Sequence, residues 1–139
     1  MPEASVNLPG IAVFVDAENF SHRNAPRLMT HILRYGVPSR LSAYGEERHS
    51  VPWQAHGFFS VITGKGENLA DLALSVDAVT VALHSDKDLI AIVTSDGDLA
   101  YVANRLVGLR RSVIGFGEAK APENLRTACT EFVEIDALI

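Results

Sequence analysis

The apolar positions of the chain fall into short solid runs separated by longer periodic stretches. Residues 11–15 (IAVFV) are unbroken, β-branched and aromatic; they follow Pro9-Gly10 and stop at Asp16. Residues 89–94 are a second such run. Runs without alternation are what strands covered on both faces look like. Further strands are predicted at 39–44, 58–62, 112–116 and 132–135. Between the strands the period becomes helical. Residues 26–35 have proline in the first turn and Gly36 just past the end. Asn68 can cap a long helix to about residue 84. In it Leu69, Leu72, Ala73, Val76, Val79, Thr80 and Leu83 fall on one face. Asp98 can cap a helix over 99–109. Shorter helices are predicted at 51–56 and 122–129, a polar loop at 45–50 and a turn at 85–88. Alternating strands and helices mean an α/β fold with a parallel sheet and helices on both faces.

The chain is 139 residues long, which suits a single domain, with 1–9 as an N-terminal extension. Its lone cysteine, Cys129, excludes an internal disulfide and reads as packing. No signal peptide or apolar stretch of about 18 residues is present, so a soluble, cytoplasmic protein with no membrane partner is expected. The net charge of −5 argues against coating nucleic acid by bulk charge. The distribution alters that picture. Residues 67–98 hold seven acids and one base, a local −6. Residues 22–56 hold five arginines against two glutamates, a local +3, with four of the five histidines.

The acids are also placed. Asp16 directly follows the first strand; Asp96 and Asp98 follow the fourth. Ligands of open α/β sheets collect at the carboxyl ends of the strands, where strand order reverses. Asp71, one turn into the long helix, can supply a fourth carboxylate. Bare carboxylates brought together repel, and a hard divalent cation resolves the conflict; oxygen-only ligands select Mg²⁺ or Mn²⁺. Asn19 can orient a ligand or water. Asp77, six residues after Asp71, points about 120° away on a helix, so it is read either as support for a metal ligand or as a structural ion pair. Asp86 and Asp88 are read as turn and solvent charges.

The segments FVDAENF (14–20), GKGENLADLALSVDA (64–78), IVTSDGDLAYVANRLVGLRRSVIGFG (92–117) and APENLRTACTEFVEI (121–135) run across most of the chain. Together they resemble the NYN family, PIN-like ribonucleases that include the LabA-like group. The resemblance implies a PIN-like, Rossmann-like three-layer sandwich with a central parallel sheet in the order 3-2-1-4-5. It implies metal-dependent endonucleolytic cleavage of RNA, single-stranded or structured, leaving 5′-phosphate and 3′-hydroxyl ends. Matched to its motifs, the metal and catalytic acids fall on Asp16, Asp71, Asp96 and Asp98, with Asn19 and Ser95 in support. A homodimer and an additional C-terminal RNA-binding domain are compatible with it. The family's closing helix usually carries an acid where Thr130 stands, with Glu131 the nearest substitute.

Other residues are candidates for the substrate. Arg23, just after the first acidic motif, and Lys65, just before the long helix, can meet phosphates. Arg40, Tyr44, Arg48 and Trp53 can form a rim whose rings stack on bases. His22 is near enough to Asp16 to be of interest. Gly64-Lys65-Gly66 lacks the spacing of a P-loop. Gly115-Phe116-Gly117 reads as a strand-end loop. The alternative to a nuclease is a non-catalytic RNA-binding or dimerising module that keeps the acids. A phosphatase or receiver domain ranks behind both, since Asp16-Ala17-Glu18-Asn19 and SVIGF lack their motifs.

Overall fold

A computed structural model describes residues 8–66, 68–85 and 88–136. Most of the expected N-terminal extension and the centre of the turn at 85–88, with Asp86, lie outside these. The strands are β1 (Gly10–Asp16), β2 (Val37–Gly45), β3 (Phe59–Ile62), β4 (Leu89–Val93), β5 (Val113–Gly117) and β6 (Glu131–Glu134). The helices are α1 (Ala25–Tyr35), α2 (Glu47–Ser50), α3 (Leu69–His84), α4 (Ala100–Gly108) and α5 (Glu123–Ala128), with 3-10 turns at His22–Asn24, Val51–His56 and Gly97–Leu99. The six strands form one parallel sheet in the order β3-β2-β1-β4-β5-β6. The expected order of five is present, and β6 extends it. From β1 the chain first builds toward β3, then returns to β1's other side with β4. The order therefore reverses between β1 and β4.

Alternation along β1 divides the core in two. Ala12 and Phe14 face α3, α4 and α5 with Tyr44, Ile90 and Ile92. Ile11, Val13 and Val15 face α1 and the 51–56 turn with Ala43, Ala91 and Val93. Both faces of the central strands are covered, as their unbroken apolar runs require.

The expected face of α3 is not the buried one. Ala70, Leu74, Ala78 and Ala82 meet the sheet, while Leu69, Leu72, Val76 and Leu83 are exposed. Apolar residues occur almost all the way round this helix, so spacing alone cannot choose the inner face. Size chooses it: three of the four residues in this four-residue repeat are alanines, which let the helix axis approach the sheet. Asn68 occupies the N-cap position with φ of 66° but makes no side-chain cap bond. The α4 region likewise starts differently. Asp96, not Asp98, accepts from a backbone N–H there, that of Asp98 at 2.9 Å.

Residues 115–117 are buried in β5 and are not a loop. A Cβ on Gly117 would lie 2.3 Å from the Thr94 carbonyl oxygen, and one on Gly115 2.7 Å from Cys129 Sγ. These glycines allow close approach of neighbouring chain. No helix among the described residues is long and apolar enough to cross a membrane.

Candidate metal centre

The crevice at the reversal point gathers three carboxylates. Asp16 ends β1, Asp96 lies three residues beyond β4, and Asp71 is in the first turn of α3. One ligand oxygen from each lies within 4.8 Å of the others. The local structure that places them is specific. Val15 pairs with Val93, so Asp16 and Thr94 emerge side by side. Thr94 Oγ1 donates to Asp16 Oδ2 at 2.8 Å and accepts from the Asp96 N–H at 3.0 Å. Asn19 Nδ2 donates to Asp16 Oδ2 at 2.9 Å and to Asp96 Oδ2 at 3.4 Å. The Glu18 N–H donates to Asp16 Oδ1 at 3.2 Å. Two strand ends 77 residues apart are thus tied through one amide side chain.

Asp16 is wholly buried. Burial raises its pKa, against the lowering effect of Asn19, Thr94 and the Glu18 N–H. Asp71 is pushed up to about 6, first by burial and then by the charges of Asp16, Asp96, Asp98 and Glu18. Among the described residues no lysine or arginine pairs with any of the three acids. The donors around them are neutral. An oxygen-only set carrying uncompensated negative charge fits a hard divalent cation such as Mg²⁺ or Mn²⁺.

Burial of Asp71, with the repulsion of its neighbours, predicts a pH dependence. Between the ordinary aspartate value of 3.8 and about 6, the folded protein holds a proton on Asp71 that the unfolded chain has lost. Raising the pH through that window therefore costs stability. In chelator, melting temperature should be lower at pH 7 than at pH 5. Asp71→Asn should flatten the difference and gain on the order of 1 kcal/mol at pH 7, given that the group is only part-buried. Melts of both proteins in EDTA, identical in pH slope, would contradict this.

The other candidate residues separate clearly. Asp98 is not one of the three; it stands beside Asp71 at the end of a neighbouring groove. Ser95 is buried, and its hydroxyl accepts from the Glu118 N–H at 2.9 Å, fastening the end of β5. Arg23 lines a groove next to Asn19, with Arg48, Lys120 and two histidines but also Glu18 and Glu118. Lys65 lines a separate groove of about 900 Å³ with Glu46, Glu47 and Arg48. Arg40 does not reach the site. It lies in the middle of β2, and its guanidinium pairs with Asp77 at 3.2 Å and sits over the Phe14 ring. Tyr44 donates to the same Asp77 at 2.7 Å, so Asp77 is a structural partner. Tyr44 and Trp53 are wholly buried and cannot stack on bases.

Glu131 is no substitute for the late acid. It begins β6, at the opposite end of the parallel sheet, and accepts from Tyr35 Oη at 2.5 Å. Thr130 accepts from the Val113 N–H at that same end. Cys129 is buried, which pushes its thiol up to about 11. Thr94 is the residue sequence reasoning missed. Its signal was a hydroxyl closing an otherwise apolar run directly before Ser95-Asp96.

The sequence matches the NYN domain over residues 10–136, nearly the whole chain. The protein belongs to the NYN domain family. NYN domains are PIN-like nucleases, and the aspartate triad is compatible with that activity. A solved structure of similar fold is that of a Vibrio parahaemolyticus protein of unknown function. It is 18% identical, with a TM-score of 0.77, and the match covers 96% of this chain and 97% of that one. At that identity the likeness speaks for the fold of this NYN protein alone. No curated protein matches the sequence.

Proposed function

We propose that this NYN protein is a divalent-metal-dependent endoribonuclease. The observation that carries the reading is the convergence of Asp16, Asp71 and Asp96, from three separate elements, where strand order reverses. These three would hold Mg²⁺ or Mn²⁺. Bound there, such an ion lowers the pKa of water and offsets charge on a phosphodiester. The chain's own contribution is positioning. Thr94 and Asn19 fix the carboxylates of Asp16 and Asp96, and Asn19 faces both. Asp98, next to Asp71, holds further negative charge where a second ion or an attacking water would be oriented. Arg23, in the groove beside Asn19, supplies positive charge for the RNA backbone, while Arg48 and Lys120 of that groove pair with Glu46 and Glu118. Lys65 adds a cation from the adjoining groove, which Arg48, Glu46 and Glu47 also line. Ser95 acts by holding the β5 end in place. Water adds to phosphorus and the 3′-oxygen departs, leaving 5′-phosphate and 3′-hydroxyl ends.

The test is incubation of end-labelled single-stranded RNA with Mg²⁺, with Mn²⁺ and with EDTA. Cleavage is expected with either ion and none in EDTA. The new ends should accept ligation without prior phosphorylation of the 5′ side. RNA binding without cleavage, equal with and without metal, would make the protein a binding module instead.

A further inference from the structure

A groove of about 520 Å³ opens beside the acids, between α3 and α4. Leu72 and Val79 form one wall, and Tyr101, Val102 and Arg105 the other; Asp71 and Asp98 close one end. The order along the second wall follows from helical spacing. Asp98, Tyr101 and Arg105 recur at three and four residues and therefore share one face. Asp98 and Arg105 lie roughly 10 Å apart along the axis. Tyr101, midway, is 82% exposed, more than any other large apolar residue among those described. Arg105 makes no ion pair among the described residues.

An acidic metal centre, an open aromatic ring and an unpaired guanidinium thus follow one another in a line. A nucleic-acid strand presents the complementary series: a phosphate, a base with a π face, and the next phosphate. We propose that this groove is a nucleotide subsite of the RNA strand. Tyr101 stacks on the base next to the scissile bond, and Arg105 meets the phosphate beyond it. The proposal rests on the nuclease reading and deepens it. A second copy of the chain is the competing occupant, because Leu72 belongs to the exposed face of α3 with Val76 and Leu83. The groove runs up to Asp71, however, so a copy seated in it would cover the acids. A single strand lying in it delivers a phosphate to them.

The experiment uses a short oligouridylate carrying one 2-aminopurine, bound to protein in the Asp96→Asn background. Wild-type Tyr101 should quench the 2-aminopurine. Tyr101→Ala should abolish quenching and weaken binding about tenfold, and Tyr101→Phe should restore both. In the cleaving protein, Tyr101→Ala should raise KM with kcat nearly unchanged. Arg105→Ala should lower the salt dependence of binding by about one counterion. Tyr101 is exposed, so its variants should melt with the parent. Wild-type affinity and quenching in Tyr101→Ala overturn the subsite while leaving the nuclease reading in place. A sedimenting dimer that Tyr101→Ala or Leu72→Glu dissociates gives the groove to a second copy and overturns it equally. A wild-type protein that neither binds nor cleaves RNA overturns both readings.

Discussion

Asp96→Asn should remove metal-dependent cleavage of RNA while leaving the protein folded. The two halves of that expectation come from the two oxygens of one side chain. Oδ1 accepts from the Asp98 N–H at 2.9 Å and starts the 97–99 turn, a job that asparagine does equally well. Oδ2 faces Asn19 Nδ2 and belongs with the carboxylates of Asp16 and Asp71. An amide there removes one negative charge from the donor set. Loss of a group that merely supports a metal ligand costs about 10–100-fold, so loss of a ligand should cost at least about 100-fold in rate. Stability without metal should change by less than about 1 kcal/mol. The rise in melting temperature on adding Mn²⁺ should shrink, because that rise measures binding to the folded state. Asp98→Asn should reduce cleavage less, since Asp98 stands outside the triad. Equal cleavage by Asp96→Asn and wild type would remove Asp96 from the metal centre.

The largest effect on stability is expected at Trp53. Its indole is wholly buried, 4.8 Å from the Phe58 ring and 6.2 Å from that of Phe20. Trp53→Ala should cost about 3–5 kcal/mol, a large part of what a domain of this size has. Melting should fall by about 10 °C or more. Trp53→Phe should cost far less, about 1 kcal/mol, for a reason visible in the structure. Trp53 Nε1 is buried with no hydrogen-bond partner among the described residues, so phenylalanine gives up no polar contact. Phe20 comes directly after Asn19, so the same packing braces the loop that carries Asn19. Urea unfolding of both variants checks the pair of values. If the two cost the same, ring packing is not what the indole contributes.

The strand order came with the family resemblance, whereas the two buried central strands and the position of Asp16 were legible because they rest on strong local signals. An unbroken apolar run ending in an acid marks a buried strand and the end where ligands collect, and Ile11–Asp16 and 89–96 both carry it. Side-chain partners were less legible, because they depend on which faces meet. Arg40 looked available in sequence. Only the packing of α3 over β2 shows that Asp77 takes it. Tyr44 and Trp53 looked like stacking rings, yet neighbouring layers cover both. Tyr101 passed unnoticed because a tyrosine in a short apolar helix resembles core. The α3 face was misread for a related reason: alanine carries little hydrophobic signal but permits the closest approach to a sheet.

The joining of β1 to β4 also has a consequence in time. Asp16 and Asp96 belong to neighbouring strands, but 79 residues of chain separate them, and only the paired strands bring them together. Contacts of such long span close late in folding. During synthesis from the N-terminus, the first half of the protein emerges with β1 lacking its inner neighbour and with Asp16 lacking both Thr94 and Asp96. No N-terminal portion short of β4 can therefore assemble the triad. On the proposed nuclease reading, RNA near the ribosome, including the message being read, stays uncut until β4 and Asp96 have been made.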